Sequence, residues 1–344
     1  MFVFDDNEGM PSLEALAARL GERDALRTIQ REYIGEIVRQ DQRLAAVACE
    51  AHGIRNRWAD IRCFDASRVR LDQWPHDYVH ANYVDGFRQA RKFICTQGPM
   101  ESTCADFWHM VWQERSVVIV ALTKVGGGKC ALYIPDAVDA PARRYGPYLI
   151  ENRNVKHVPD LYDAVALRLS RPADAPHAPP PRRVLLFLFY AWPDKGIPTD
   201  TAPLLRFINN INYNQQRLND EGRTSGWLPA PSGQQQPQPP IVIHCSAGVG
   251  RTGTLVALDI CCRQLDYCRS ATPRHFSVDL KRVVGQLRRQ RDKMVQRPEQ
   301  YVYLHMAVVE YALTKRYLAP DRIDVSPFIN QAAKTLREDR QPNN

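Results

Sequence analysis

The stretch Ile241-Val-Ile-His-Cys-Ser-Ala-Gly-Val-Gly-Arg-Thr-Gly253 constrains the fold more than any other part of the chain. Ile241–His244 is a short apolar run of the length expected for a buried strand. Gly248 and Gly250 let the backbone curl directly after it, and Thr252 opens a helical pattern that runs to Cys268. A strand that ends in a glycine loop and feeds a long helix belongs to a sheet on which helices pack, so the fold class is α/β. Further strand-like runs are Phe93–Thr96, Val117–Leu122, Ala164–Ser170 and Val184–Tyr190; in the third, Val165, Leu167 and Leu169 alternate with less apolar neighbours. Helical patterns occupy Val278–Gln290 and Pro298–Leu318. Residues 12–47 also read as helical, with Ser12 capping a run that carries Leu13, Leu16, Ala17 and Leu20, and with Leu26, Ile29, Tyr33, Ile34 and Ile37 at helical spacing after it. Pro172–Pro181 and Asp220–Pro240 read as exposed insertions, and the segment after Ala319 as a polar, partly disordered tail.

The same central stretch carries chemistry. In a loop that joins a strand to a helix, the successive N–H groups of Ser246, Ala247, Gly248, Val249, Gly250 and Arg251 can converge on one concavity and form a nest for an anion. The helix amino end adds positive partial charge, and that field favours a thiolate at Cys245. Arg251, six residues on, can bring a planar fork to two oxygens of a bound phosphate. Nucleophile, N–H donors and cation then surround a single phosphorus atom.

Composition narrows the class. The chain has 344 residues, 44% of them hydrophobic and 24% charged, with a net charge of +8 and a pI near 9.0. That is a globular balance with room for one large core. Its positive sign suits anionic partners without choosing among them. Met1–Met10 holds Asp5, Asp6 and Glu8 and no basic run ahead of an apolar one, which is not a secretory signal. The longest apolar runs are too short to span a bilayer. Nine unevenly spaced cysteines are not a disulfide framework and point to a reducing compartment.

The run His244-Cys-Ser-Ala-Gly-Val-Gly-Arg-Thr-Gly253 resembles the signature of the protein tyrosine phosphatases. Trp192-Pro-Asp-Lys-Gly-Ile-Pro198 is similar to that family's WPD loop. By that likeness Asp194, otherwise an ordinary turn residue, is the general acid that protonates the leaving group. Gln296-Arg-Pro-Glu-Gln-Tyr301 resembles the glutamine loop, which implies that Gln296 positions the attacking water, Gln300 supports it, and Asp194 switches from acid to base. Thr252 stands where the family's hydroxyl helps the sulfur leave. Arg55-Asn-Arg-Trp-Ala-Asp-Ile61 resembles the substrate-recognition loop. Its Trp58, where the family usually has Tyr, would stack on a phosphotyrosine ring, and Asp60 would accept hydrogen bonds from the substrate backbone, with Asn56 and Arg57 structural. Asp77–Gly86, Phe93–Pro99 and Asp106–Trp112 are family-like core blocks.

Two departures stand out. Lys124-Val-Gly-Gly-Gly-Lys-Cys130 is short and glycine-rich where the family often has a longer hairpin with a Glu; Lys129 matches a lysine that approaches the acid loop. Lys293 takes a place often held by a small residue in forms that accept a second phosphate nearby, where a lysine either obstructs that subsite or attracts its charge. The shortened glycine loop and the polar insertions resemble a divergent branch such as that carried by polydnaviruses.

The resemblance implies a single phosphatase II-like domain at 25–318, a twisted mixed sheet flanked by helices, with a helical extension at 1–24 and a tail at 319–344. It further implies phosphotyrosine-containing proteins as partners, a cysteinyl-phosphate intermediate, no metal or other cofactor, no nucleic acid, a monomer and a cytoplasmic location. The competing readings are a phosphotyrosine-binding protein with little turnover and an RNA 5′-phosphatase or broad-specificity enzyme. Relatives of the first kind lack Cys, acid or Arg; those of the second lack the Arg55–Ile61 block.

Overall fold

The computed structural model describes residues 10–40, 44–171, 179–192, 197–198, 200–229, 238–271, 275–319 and 324–338. Among them nine strands form one sheet: β1 (Arg68–Arg70), β2 (Tyr78–Gly86), β3 (Gln89–Thr96), β4 (Val118–Ala121), β5 (Arg143–Tyr145), β6 (Tyr148–Val158), β7 (Tyr162–Ser170), β8 (Arg182–Phe189) and β9 (Ile241–His244). The order across the sheet is β1-β2-β3-β9-β4-β8-β7-β6-β5. The four central strands β3, β9, β4 and β8 run parallel, and antiparallel meanders extend the sheet on each side. The expected mixed sheet flanked by helices is therefore what forms.

Strand β9 sits at the middle of the parallel section, with Ile243 opposite Cys95 on β3 and Val120 on β4. All four of its residues are fully buried, which is why they read as a continuous apolar run rather than an alternating one. Successive side chains leave a strand on opposite faces. Ile241 and Ile243 accordingly join the larger core layer on one side, and Val242 joins the layer on the other. That second layer lies under α4 (Cys104–Gln113), with Trp108 and Met110 fully buried.

The larger layer is roofed by α1 (Leu13–Gly21), α2 (Ala25–Glu32), α5 (Ala202–Thr224), α6 (Gly250–Ala271), α7 (Leu280–Gln290), α8 (Pro298–Thr314) and α9 (Ser326–Glu338). A short helix α3 (Val47–Ala51) precedes the first strand. Helix α6 follows β9 after the loop Cys245–Val249 and packs on α7 and α8. Inside the core, Lys92 on β3 pairs with Asp259 on α6, whose other oxygen accepts from Asn212 Nδ2 at 2.7 Å. Burial pushes the Lys92 amine down to about 8 against the pull of Asp259. The pair costs desolvation, which the extra hydrogen bond helps to offset, and it pins α6 to both the sheet and α5.

Two sequence expectations change. Ser12 does cap α1, accepting from Ala15 N–H at 3.1 Å. The segment after Ala319, however, contains helix α9, which places Phe328 and Ala332 in the main core beside Val325. Burying one Phe of that size stabilises by roughly 1.5–3 kcal/mol, enough to hold an otherwise polar helix. Asp220–Thr224, read as the start of an insertion, is instead the last turn of α5. Residues 172–178 and 230–237 of the two insertions lie outside the described residues.

Candidate active site

The carboxyl ends of β3, β4 and β9 converge where the chain leaves β9, the usual place for a ligand in an α/β sheet. A cavity of about 670 Å³ opens there, lined by Cys245, Ser246, Ala247, Gly250 and Arg251 from the loop after β9. Trp58, Asp60, Lys129, Trp192, Gln296 and Gln300 are also in its wall. Ten of the residues singled out in the sequence thus meet in one cavity. Gly248, Val249 and Thr252 do not line it, and Asp194 lies outside the described residues.

Cys245 is 6% exposed, and its Sγ accepts the N–H of Gly248 at 3.2 Å. Gly248 has φ +71, a left-handed conformation that glycine adopts without strain. A Cβ there would lie 2.0 Å from the carbonyl oxygen of Thr96 at the end of β3. The curl that turns N–H groups toward the sulfur therefore needs glycine. Val249 points its fully buried side chain into the core, and its carbonyl accepts from Gly253 and Val295. The Thr252 hydroxyl is fully buried and has no hydrogen-bond partner among the described residues.

Arg251 at the cavity wall donates from Nη1 to the carbonyl of Leu122, just past β4, at 2.8 Å. The glycine-rich turn at 124–130 is braced by Arg57. That guanidinium donates to the carbonyls of Gly98 (2.9 Å), Pro99 (2.8 Å) and Gly128 (3.2 Å). Asn56 is structural as well, bonded to Cys49 and Tyr78. Trp58, 46% exposed, donates from its ring nitrogen to Ser246 Oγ at 3.3 Å. Lys293 turns onto Asp60, donating to its carbonyl at 2.6 Å and its carboxylate at 3.0 Å. Gln300 accepts from the N–H groups of Gln296 and Arg297 at 2.8 and 3.2 Å, closing the turn that presents Gln296.

Beneath the loop lies a cation that sequence reasoning missed. Arg291 is fully buried and donates to the carbonyls of Gly248 (2.8 Å) and Ala247 (3.0 Å) and to Asn82 Oδ1 (2.7 Å). It also meets His80 Nδ1 at 3.2 Å. Since arginine only donates, Nδ1 accepts, and His80 Nε2–H donates to the Ile61 carbonyl at 3.0 Å. Burial first, and the Arg291 charge second, hold His80 down to about 4. His244 is likewise pushed down to about 4 by burial; its Nε2 lies 2.8 Å from the Tyr133 hydroxyl and its Nδ1 3.2 Å from the Cys245 carbonyl. Helical spacing gave no signal for Arg291, because it follows the last residue of α7 in extended backbone.

The model of the family described as protein-tyrosine phosphatase matches residues 52–310. The chain belongs to the protein-tyrosine phosphatase family. Similar proteins include one from Mus musculus named tyrosine-protein phosphatase non-receptor type 9, 36% identical over 265 residues that make up 75% of this chain and 42% of that protein. Receptor-type tyrosine-protein phosphatase C of Homo sapiens is 35% identical over 75% of this chain and 18% of its own length. Tyrosine-protein phosphatase 69D of Drosophila melanogaster is 33% identical over 74% and 16% respectively. The chain thus spans less than half the length of these relatives. Among the described residues no helix is long and apolar enough to cross a membrane, and all nine cysteines are buried with none in a disulfide.

Proposed function

We propose that this protein-tyrosine phosphatase domain hydrolyses phosphotyrosine in proteins through a phosphorylated Cys245. The observation that carries the proposal is the N–H of Gly248 aimed at a recessed Cys245 sulfur in a cavity that also holds Arg251 and two glutamines. In the first step the Cys245 thiolate attacks phosphorus and the tyrosine oxygen leaves. Loop N–H groups and the Arg251 fork stabilise the charge on the phosphoryl oxygens. Asp194, by family likeness, gives the leaving oxygen its proton.

In the second step water attacks the cysteinyl-phosphate and the sulfur departs as a thiolate. Gln296, presented by Gln300, orients that water. The buried Thr252 hydroxyl, which has no other partner among the described residues, supports a role for it in stabilising the departing sulfur. Asp194 takes the proton from water. The depth of the Cys245 sulfur favours the long phosphotyrosine side chain over phosphoserine, with Trp58 at the rim as the stacking surface and Asp60 as an acceptor for the substrate backbone.

The experiment compares turnover of a phosphotyrosyl peptide, a phosphoseryl peptide and 5′-triphosphorylated RNA by the purified chain and by Cys245→Ser. Rapid turnover of the first alone is expected, lost by at least about a thousandfold in the variant. Preference for RNA, or undiminished turnover by Cys245→Ser, would refute it.

A further inference from the structure

The peptide unit of Val295, immediately before Gln296, is held from two sides. Val295 is fully buried and has φ +56, a conformation that a β-branched residue adopts only at a cost of about 1–3 kcal/mol. Such a state persists where its surroundings over-determine it. Its N–H donates to the Val249 carbonyl of the thiolate loop at 3.1 Å. A Cβ on Gly253, in the first turns of α6, would lie 2.4 Å from the same nitrogen. On the other side, the Val295 carbonyl accepts from the Tyr33 hydroxyl at 2.8 Å, with Arg288 Nη2 at 3.4 Å. Arg288 Nε donates to the preceding carbonyl, Met294, at 3.0 Å, and its Nη2 reaches the Tyr33 oxygen at 3.3 Å.

The far end of the glutamine loop is held by the same N-terminal segment. Tyr301, next to Gln300, donates to Glu32 at 2.6 Å, and Glu32 accepts from Arg19 on α1 at 2.8 Å. Burial works to raise the Glu32 carboxyl, but these two donors outweigh it and keep the group below its usual range. Arg19, Glu32 and Tyr33 all precede the 52–310 stretch that the family model matches.

We propose that Tyr33 and Arg288, with Glu32 acting through Tyr301, are positioning residues that hold Gln296 and Gln300 for hydrolysis of the cysteinyl-phosphate and take no part in its formation. The proposal rests on the two-step reading above. It predicts a division between the two half-reactions, because the clamp touches the water-positioning loop and leaves the Arg251 fork alone.

The test is Tyr33→Phe, which removes one oxygen and keeps the ring, assayed by stopped-flow release of nitrophenolate from para-nitrophenyl phosphate. The phenolate burst should keep its rate and amplitude while the following steady rate falls about tenfold, a loss of about 1.4 kcal/mol. In a two-step scheme kcat and KM then fall together and kcat/KM is unchanged. Arg288→Lys keeps the cation but gives up the fork, and it carries the same expectation, so one variant decides if the other misfolds. A parent-like kcat, or kcat/KM falling in step with kcat as in a merely loosened protein, overturns the assignment. A parent with no Cys245-dependent phenolate release would sink the catalytic reading instead, and is scored separately on Cys245→Ser.

Discussion

Replacing Arg291 with methionine should damage the enzyme more than its place outside the cavity implies. The guanidinium makes three hydrogen bonds to oxygen, at 2.7–3.0 Å, and one contact to His80 at 3.2 Å, all with no solvent exposure of its own. Arg291→Met strands the carbonyls of Ala247 and Gly248 and the Asn82 amide oxygen. Each buried acceptor left without a donor costs about 1–3 kcal/mol. Against the simple sum stands the desolvation cost of a buried cation, which the variant no longer bears. Removal of one partner from such a network typically nets about 3–5 kcal/mol. Urea unfolding near neutral pH measures this directly. Because two of the stranded carbonyls belong to the loop after β9, the affinity for vanadate, an anion that occupies a phosphoryl site, should drop as well. A loss of stability below about 1 kcal/mol with parent-like vanadate binding would show that Arg291 does not brace the loop.

Three other perturbations are informative. Gly248→Ala places a methyl group on the Thr96 carbonyl at a left-handed φ, so kcat/KM for para-nitrophenyl phosphate should fall by at least about a hundredfold; a mild loss would mean the curl is not needed. Lys293→Ala frees Asp60 from a partly exposed ion pair, so stability should change by less than about 1 kcal/mol. The KM for a phosphotyrosyl peptide should fall several-fold while that for para-nitrophenyl phosphate, too small to reach Asp60, stays put. Stability should also depend on pH through His80, His244 and His305, each held to about 4 by burial from an ordinary 6.5. Between those values the unfolded chain binds more protons, so stability is full above 6.5 and is lost as pH falls toward 4. The slope approaches about 1.4 kcal/mol per pH unit for each histidine, and urea midpoints that stay flat between about pH 7 and about pH 5 would contradict it.

What the sequence showed depended on whether one local signal was strong enough. Strand β9 is an unbroken apolar run ended by glycines, and its bounds match the sequence expectation to the residue. Helix α8 stops at Thr314 instead of Leu318 because Arg316 turns left-handed at φ +58, and Tyr317 folds back to donate to the Ala312 carbonyl at 2.8 Å. Strand β2 shows no apolar alternation in the sequence because both its faces are buried and the polar His80, Asn82 and Asp85 lie among its buried residues. Helix α5 escaped because asparagines at 209, 210, 212 and 214 lower its local propensity, although Leu204, Phe207, Ile208 and Ile211 keep a buried stripe. At the site, Cys245, Arg251, Gln296 and Trp58 were legible because each sits in a motif. Arg291 and Tyr33 were not, since their roles arise from burial against segments far away in the chain. Lys293 instead pairs with Asp60, a contact that only the folded chain could show.

The most direct measurement is acid quenching of the enzyme during turnover of a phosphotyrosyl peptide, followed by mass spectrometry of its own peptides. A phosphoryl group on the peptide that contains Cys245 is expected, more abundant in Gln296→Ala and missing from Cys245→Ser. Steady turnover with the phosphoryl group on another residue, or on none in either variant, would contradict a thiolate mechanism at this loop.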